Sequence, residues 1–204
     1  LLDAANCGNP VKAMIRDGYD GPDYIDFFAG LATEAKGDVT PMGEDIMNLT
    51  VQEPYGVCAR IVAYNHPYMF AAMKIGAPLV TGNTVIIKPP PQAPLSAYRM
   101  FEIIDGILPP GVVNIVTDAN DLGDRLTHHP DVRAISFTGS TATGRKVMTG
   151  AAETLKRITL ELGGNDAGIV LDDADPKAVA KPIFDSAFTN AGQVCLAIKR
   201  VYVH

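Results

Sequence analysis

The chain has 204 residues, 47% of them hydrophobic and 20% charged, with 17 basic against 23 acidic side chains and a net charge of −6. No apolar run approaches the roughly 18–20 residues that cross a bilayer, and no basic stripe interleaved with aromatics offers a nucleic-acid surface, which leaves small ligands as the favoured partners. Cys7, Cys58 and Cys195 are far apart and odd in number, a usage that suits a reducing, cytoplasmic setting better than a disulfide framework.

Taken in chain order, residues 1–15 and 24–35 read as two helices joined by a Gly/Pro/Asp turn, and 37–51 as a projecting hairpin. Short apolar runs rich in β-branched residues then predict strands over 56–64, 84–88, 112–116, 134–137, 158–161 and 167–171. Between several of them, 68–80, 94–107, 121–127 and 141–150 carry apolar residues at helical spacing, and a further helical stretch, 178–190, leads to Cys195. Strand alternating with helix predicts an α/β fold, a doubly wound, Rossmann-like parallel sheet with helices on both faces. The chain starts Leu1-Leu2-Asp3 without methionine and stops in the apolar run Tyr202-Val203-His204, so it reads as an internal piece of a longer protein.

Two runs carry nucleophile and base chemistry: Glu161-Leu162-Gly163-Gly164-Asn165 and Asn190-Ala191-Gly192-Gln193-Val194-Cys195. They offer a carboxylate and a thiol, each framed by glycines that allow close approach of the backbone to a ligand. Singly, a cysteine is more often a small buried hydrophobe and a glutamate a solvated charge. Gly139-Ser140-Thr141-Ala142-Thr143-Gly144 follows a predicted strand and opens a helix, so its N–H groups can face a pyrophosphate; the bland alternative for Ser140 is a helix N-cap. His66 and His128-His129 lack partners at ligand spacing, and no metal site is expected.

Four further motifs complete an ordered set: Glu53-Pro54-Tyr55-Gly56-Val57, Tyr64-Asn65-His66-Pro67, Gly82-Asn83-Thr84-Val85-Ile86-Ile87-Lys88-Pro89, and Phe137-Thr138-Gly139-Ser140-Thr141 with Gly144. With the two runs above, the sequence resembles the NAD(P)-dependent aldehyde dehydrogenase superfamily over essentially its whole length. The resemblance implies oxidation of an aldehyde to a carboxylate with NAD or NADP through a cysteine thiohemiacetal and thioester. It assigns Cys195 as nucleophile, Glu161 as the base that activates water, Asn65 with the Cys195 N–H as oxyanion donors, and Lys74 as a proton relay, although a snorkelling surface lysine is an equal reading of Lys74. It places Lys88 at the adenosine ribose, Gly139, Ser140 and Gly144 at the pyrophosphate, and Val62, Ala63, Tyr64 and the Leu162 carbonyl along the dinucleotide.

By the same resemblance, residues 1–36 and 55–163 are the dinucleotide-binding domain, 37–54 part of an oligomerisation arm, and 164–204 the truncated beginning of a second, α/β catalytic domain. A homodimer or homotetramer acting on a small-molecule aldehyde is implied for the full-length form, and little activity for this piece alone. An acylating relative that passes the thioester to coenzyme A usually lacks the glutamate of the Glu161 run, and a non-catalytic NAD-binding descendant is disfavoured by the intact Asn65, Glu161 and Cys195. Pro91 stands where the family usually has a ribose-binding glutamate, which removes an acceptor and predicts easier use of NADP; the NAD to NADP ratio of kcat/KM in a Pro91→Glu variant measures this. Thr117-Asp118-Ala119-Asn120 replaces a Gly-containing turn near the adenine side.

Overall fold

The computed structural model describes residues 1–204. Helices α1 (Leu2–Cys7) and α2 (Val11–Gly30) are followed by an antiparallel hairpin of β1 (Val39–Pro41) and β2 (Met47–Leu49). The strand–helix alternation then runs β3 (Val57–Ile61), α3 (Pro67–Val80), β4 (Thr84–Lys88), α4 (Leu95–Ile104), β5 (Val113–Ile115), α5 (Leu122–His128), β6 (Val132–Thr138), α6 (Thr141–Ala152) and β7 (Arg157–Glu161). Strand β8 (Asp166–Val170), helix α7 (Pro176–Phe188) and strand β9 (Ile198–Val203) close the chain, with β8 and β9 forming a separate parallel pair.

The N-terminal helices differ from the sequence expectation. The break falls at Gly8-Asn9-Pro10, where Gly8 takes a left-handed φ of 78° and ends α1, and α2 continues unbroken through Gly18, Gly21 and Pro22. Tertiary packing overrides the local breakers. A Cβ on Gly21 would stand 3.0 Å from the Tyr68 ring and 3.1 Å from Ala72, and one on Gly76 would stand 3.1 Å from Phe28, so both glycines let α2 and α3 approach closely. Asp3, buried in α1, accepts from the Tyr68 N–H at 3.0 Å and so caps the first turn of α3.

The central sheet has five parallel strands in the order β5-β4-β3-β6-β7, the doubly wound arrangement expected from the alternation. Its register puts Cys58, Arg60, Val85 and Ile87 on one face and Ala59, Ile61 and Ile135 on the other. The first face packs Val85 and Ile87 against Ala71, Ala72 and Ile75 of α3 and Ala97 and Met100 of α4. The second packs Ile61, Ile135 and Phe137 against Val147 and Ala151 of α6 and Leu126 of α5. Strands buried on both faces explain why these segments read as short, near-continuous apolar runs. Because β3, β4 and β5 are laid outward in one direction and β6 and β7 in the other, the strand order reverses between β3 and β6. Ligands of open α/β sheets sit at the carboxyl ends of strands beside such a reversal.

Candidate active site

At that edge, β3 ends at Ile61, and Val62, Ala63 and Tyr64 lead out of the sheet towards Asn65 and the start of α3. Val62 still donates its N–H to the Lys88 carbonyl at 3.1 Å. The Asn65 carbonyl accepts from Asn9 Nδ2 at 3.0 Å and Asn190 Nδ2 at 2.8 Å, while Asn65 Nδ2 donates to the Gln193 carbonyl at 2.9 Å. Gln193 Nε2 donates in turn to Asn9 Oδ1 at 3.2 Å. Four amide side chains therefore fasten the loop before Cys195 to the end of β3. An amide nitrogen carries two hydrogens, so Asn65 holds this loop with one and leaves the second without a partner in the protein.

The loop itself is unusual. Asn190, Ala191 and Gly192 have φ of 49°, 57° and 79°, three successive left-handed residues directly before the thiol segment. Asparagine and glycine tolerate that region, whereas alanine is strained there by about 1 kcal/mol. Cys195 is exposed, and its carbonyl accepts from Lys199 Nζ at 2.8 Å; the same ammonium also binds the Val194 and Ala197 carbonyls at 3.1 and 2.8 Å. The other thiols differ: Cys58 is buried in β3 and Cys7 is half-buried, and burial pushes both upward in pKa, away from the nucleophilic thiolate.

Glu161 ends β7, opposite Thr138 in the β6 register, and its carbonyl accepts the Gly139 N–H at 3.0 Å. The Glu161 run passes directly against the thiol segment, because a Cβ on Gly164 would overlap the Cys195 carbonyl oxygen. On the sheet face covered by α3, Lys74 Nζ donates to Ser136 Oγ at 2.9 Å, which answers the snorkelling alternative: the side chain turns inward. Burial, reinforced by the Arg60 charge and opposed by Glu161, lowers the Lys74 pKa from 10.5 to about 8.

On the other side of the reversal, Ser140 caps α6 by accepting the Thr143 N–H at 3.1 Å, so the bland N-cap role is present. The same helix start leaves first-turn N–H groups without intrahelical acceptors, and the buried Thr138 Oγ1 beside it has no partner. A Cβ on Gly144 would stand 2.6 Å from Leu162 Cδ2, so the first turn of α6 is pressed onto the Glu161 run. Lys88 is buried in an ion pair with Asp118 at 2.7 Å, and the second Asp118 oxygen accepts the Leu122 N–H at 2.9 Å. Burial raises the Asp118 pKa, but the Lys88 hydrogen bond and charge and the backbone donors outweigh it and hold the carboxyl below its ordinary value.

A cavity of about 710 Å³ lies between α2, the start of α3 and α7, and reaches Val194 next to Cys195. His66, Met69, Phe184 and Phe188 line it. No group of three or more His, Cys, Asp or Glu side chains converges to hold a metal, and no helix is long and apolar enough to cross a membrane.

The structure thus brings Asn65, Cys195 and the Glu161 run to one sheet edge, with Lys74 beneath and Ser140 and Gly144 alongside. Sequence reasoning missed Asn9, Lys199 and the Asp17 partner of His66. The Gly8-Asn9-Pro10 break was the available signal for Asn9; nothing local marked Lys199 or Asp17.

The model of the aldehyde dehydrogenase family matches residues 1–204. Aldehyde dehydrogenase tropH of Talaromyces stipitatus is 44% identical over 208 residues, an alignment covering 100% of this chain and 40% of the relative. Among solved structures, lactaldehyde dehydrogenase from Escherichia coli superposes with a TM-score of 0.93 at 35% identity, covering 100% of this chain and 43% of that one. The NAD+ complex of aldehyde dehydrogenase from Bacillus cereus superposes with a TM-score of 0.92 at 37% identity, covering 100% and 42%. The chain therefore spans well under half the length of the relatives it matches. With the family model matched from end to end on this doubly wound sheet, the chain belongs to the aldehyde dehydrogenase family.

Proposed function

We propose that the intact protein oxidises an aldehyde to a carboxylate with NAD or NADP, using Cys195 as nucleophile. The observation that carries this reading is the convergence at the Cys195 loop: Asn65 bonded to Gln193 from one side, and Gly164 of the Glu161 run closed onto the Cys195 carbonyl from the other. The residues on the cofactor side fit a dinucleotide, since the α6 start offers free N–H groups, Gly144 permits close packing, and Thr138 Oγ1 is buried without a partner. Val62, Ala63 and Tyr64 flank that crevice from β3, Leu162 borders it from the Glu161 run, and Lys88, held by Asp118, stands at the far end for the adenosine ribose. The nicotinamide, when bound, supplies the acceptor for a hydride.

Cys195 Sγ attacks the carbonyl carbon, and the free Asn65 amide hydrogen with the Cys195 N–H receive the oxygen as it becomes an oxyanion. As this oxyanion collapses, the C–H bond of the former aldehyde breaks, its hydrogen leaves with the bonding pair as the hydride, and an acyl group remains on sulfur. Glu161 removes a proton from water, the oxygen attacks the thioester carbon, and the C–S bond breaks to release the carboxylate and restore the thiol. Lys74, with a pKa near 8, is poised to exchange protons at neutral pH.

In this reading residues 1–36 and 55–163 bind the cofactor, and 164–204 begin the catalytic domain. The exposed hairpin within 37–54, with Val39, Met47 and Leu49 uncovered, supports assembly into a homodimer or homotetramer. A cytoplasmic, reducing setting keeps Cys195 available. Full-length protein mixed with NAD or NADP and a panel of aldehydes is expected to form reduced cofactor, and Cys195→Ser to abolish it. Equal turnover by both proteins refutes the role of the thiol.

A further inference from the structure

One wall of the cavity beside Cys195 carries a buried polar pair that the proposed chemistry does not use. His66 Nδ1 lies 2.8 and 3.1 Å from the two Asp17 oxygens, and the His66 and Asp17 side chains are 14% and 4% exposed. A carboxylate only accepts, so Nδ1 carries the hydrogen and donates it. That fixes the ring orientation and directs Nε2, which has no hydrogen-bond partner in the protein, away from Asp17. His66 lines the cavity and directly follows Asn65 in the chain.

Of the other charged side chains around the cavity, Arg16 pairs with Asp20 at 3.4 Å on α2 and Lys181 with Asp185 on α7, while Lys12 is in no ion pair. Two phenylalanines also line the cavity. Phe184 and Phe188, one helical turn apart, place their ring centroids 4.7 Å apart with an interplanar angle of 34°. The cavity thus presents two tilted phenylalanine rings and an oriented ring nitrogen without a partner in the protein.

We infer that His66, oriented by Asp17, is a substrate-positioning residue that selects aryl aldehydes bearing an oxygen substituent, a hydroxyl or a carboxylate, on the ring. This rests on the reading of Cys195 as nucleophile. The phenylalanine wall takes the ring face, His66 Nε2 takes the substituent, and the carbonyl is left beside Asn65 and Cys195. In its neutral form Nε2 accepts from a hydroxyl, and in its protonated form it donates to a carboxylate.

The test compares benzaldehyde, a hydroxybenzaldehyde and a carboxybenzaldehyde in the full-length enzyme and its His66→Asn and His66→Gln variants. Asparagine keeps a donor for Asp17 but loses Nε2, whereas glutamine places an amide near the Nε2 position. The kcat/KM ratio of substituted to unsubstituted aldehyde is expected to fall about tenfold in His66→Asn, mainly through KM, with partial recovery in His66→Gln; tenfold is the worth of one such hydrogen bond. A larger loss for the hydroxyl than for the carboxylate, or the reverse, identifies which substituent the site reads. Calorimetric binding of the same aldehydes to Cys195→Ala, with and without His66→Asn, reads the contact apart from the chemistry. A ratio unchanged within about twofold in both assays overturns the inference. Selective binding without turnover in the parent protein overturns the reading of Cys195 and leaves the His66 contact standing.

Discussion

Replacing Lys74 by methionine exchanges a buried ammonium for an apolar side chain of similar length. Burial is the larger cause of its lowered pKa, Arg60 adds to it, and Glu161 offsets part. The difference between an ordinary 10.5 and about 8 corresponds to roughly 3 kcal/mol against the charged form. Because the folded-state pKa lies below the unfolded one, the unfolded chain binds more protons between these values. The cost is therefore full below pH 8 and fades as pH rises towards 10.5. Loss of the Lys74–Ser136 hydrogen bond takes back about 1 kcal/mol. The variant is thus expected to gain about 2 kcal/mol at neutral pH, seen as a thermal midpoint several degrees higher by calorimetry. That advantage shrinks through pH 9 and is gone by pH 10 to 11, while the proposed proton relay predicts a lower kcat. A variant less stable than its parent at pH 7, or a midpoint difference that does not vary with pH, refutes the reasoning.

Two substitutions probe the loop that presents the thiol. Ala191→Gly relieves a left-handed φ of 57° and is expected to stabilise the protein by up to about 1 kcal/mol in urea unfolding, with a destabilised variant contradicting the strained backbone. Gly164→Ala drives a methyl group into the Cys195 carbonyl and is expected to lower kcat on the order of 10²-fold by misplacing the proposed nucleophile; unchanged turnover contradicts the close approach.

The strands and helices of the central sheet were legible because each is buried on a consistent face, so its apolar spacing mirrors its packing. Strand β4 occupies the predicted 84–88 without adjustment, and α3 extends the predicted 68–80 by one residue, Pro67. The N-terminal helices were misread because Gly21 and Pro22, strong breakers in isolation, are overruled by the close contact of α2 with α3. Glu161, Asn65 and Cys195 stand in motifs of fixed order and could be singled out as candidates from the sequence. Asn9 and Asp17 could not, because each acts on residues fixed only by the fold: Asn9 bonds a carbonyl 56 residues away, and Asp17 meets His66 at a separation of 49; Lys199 acts locally, on carbonyls two to five residues before it, but stands in no motif. The burial of Lys88 against Asp118 was likewise invisible, since it depends on the adjacency of β4 and β5.

The proposed cycle places the acyl group on Cys195 and releases it with water that Glu161 activates. Intact-mass and peptide mass spectrometry of a full-length Glu161→Gln variant, quenched after mixing with cofactor and aldehyde, tests it most directly. One burst equivalent of reduced cofactor per site is expected, with the acyl group derived from the aldehyde on the Cys195 peptide and absent in Cys195→Ser. Reduced cofactor formed with no acyl group on Cys195, or an acyl group on Cys7 or Cys58 instead, contradicts it.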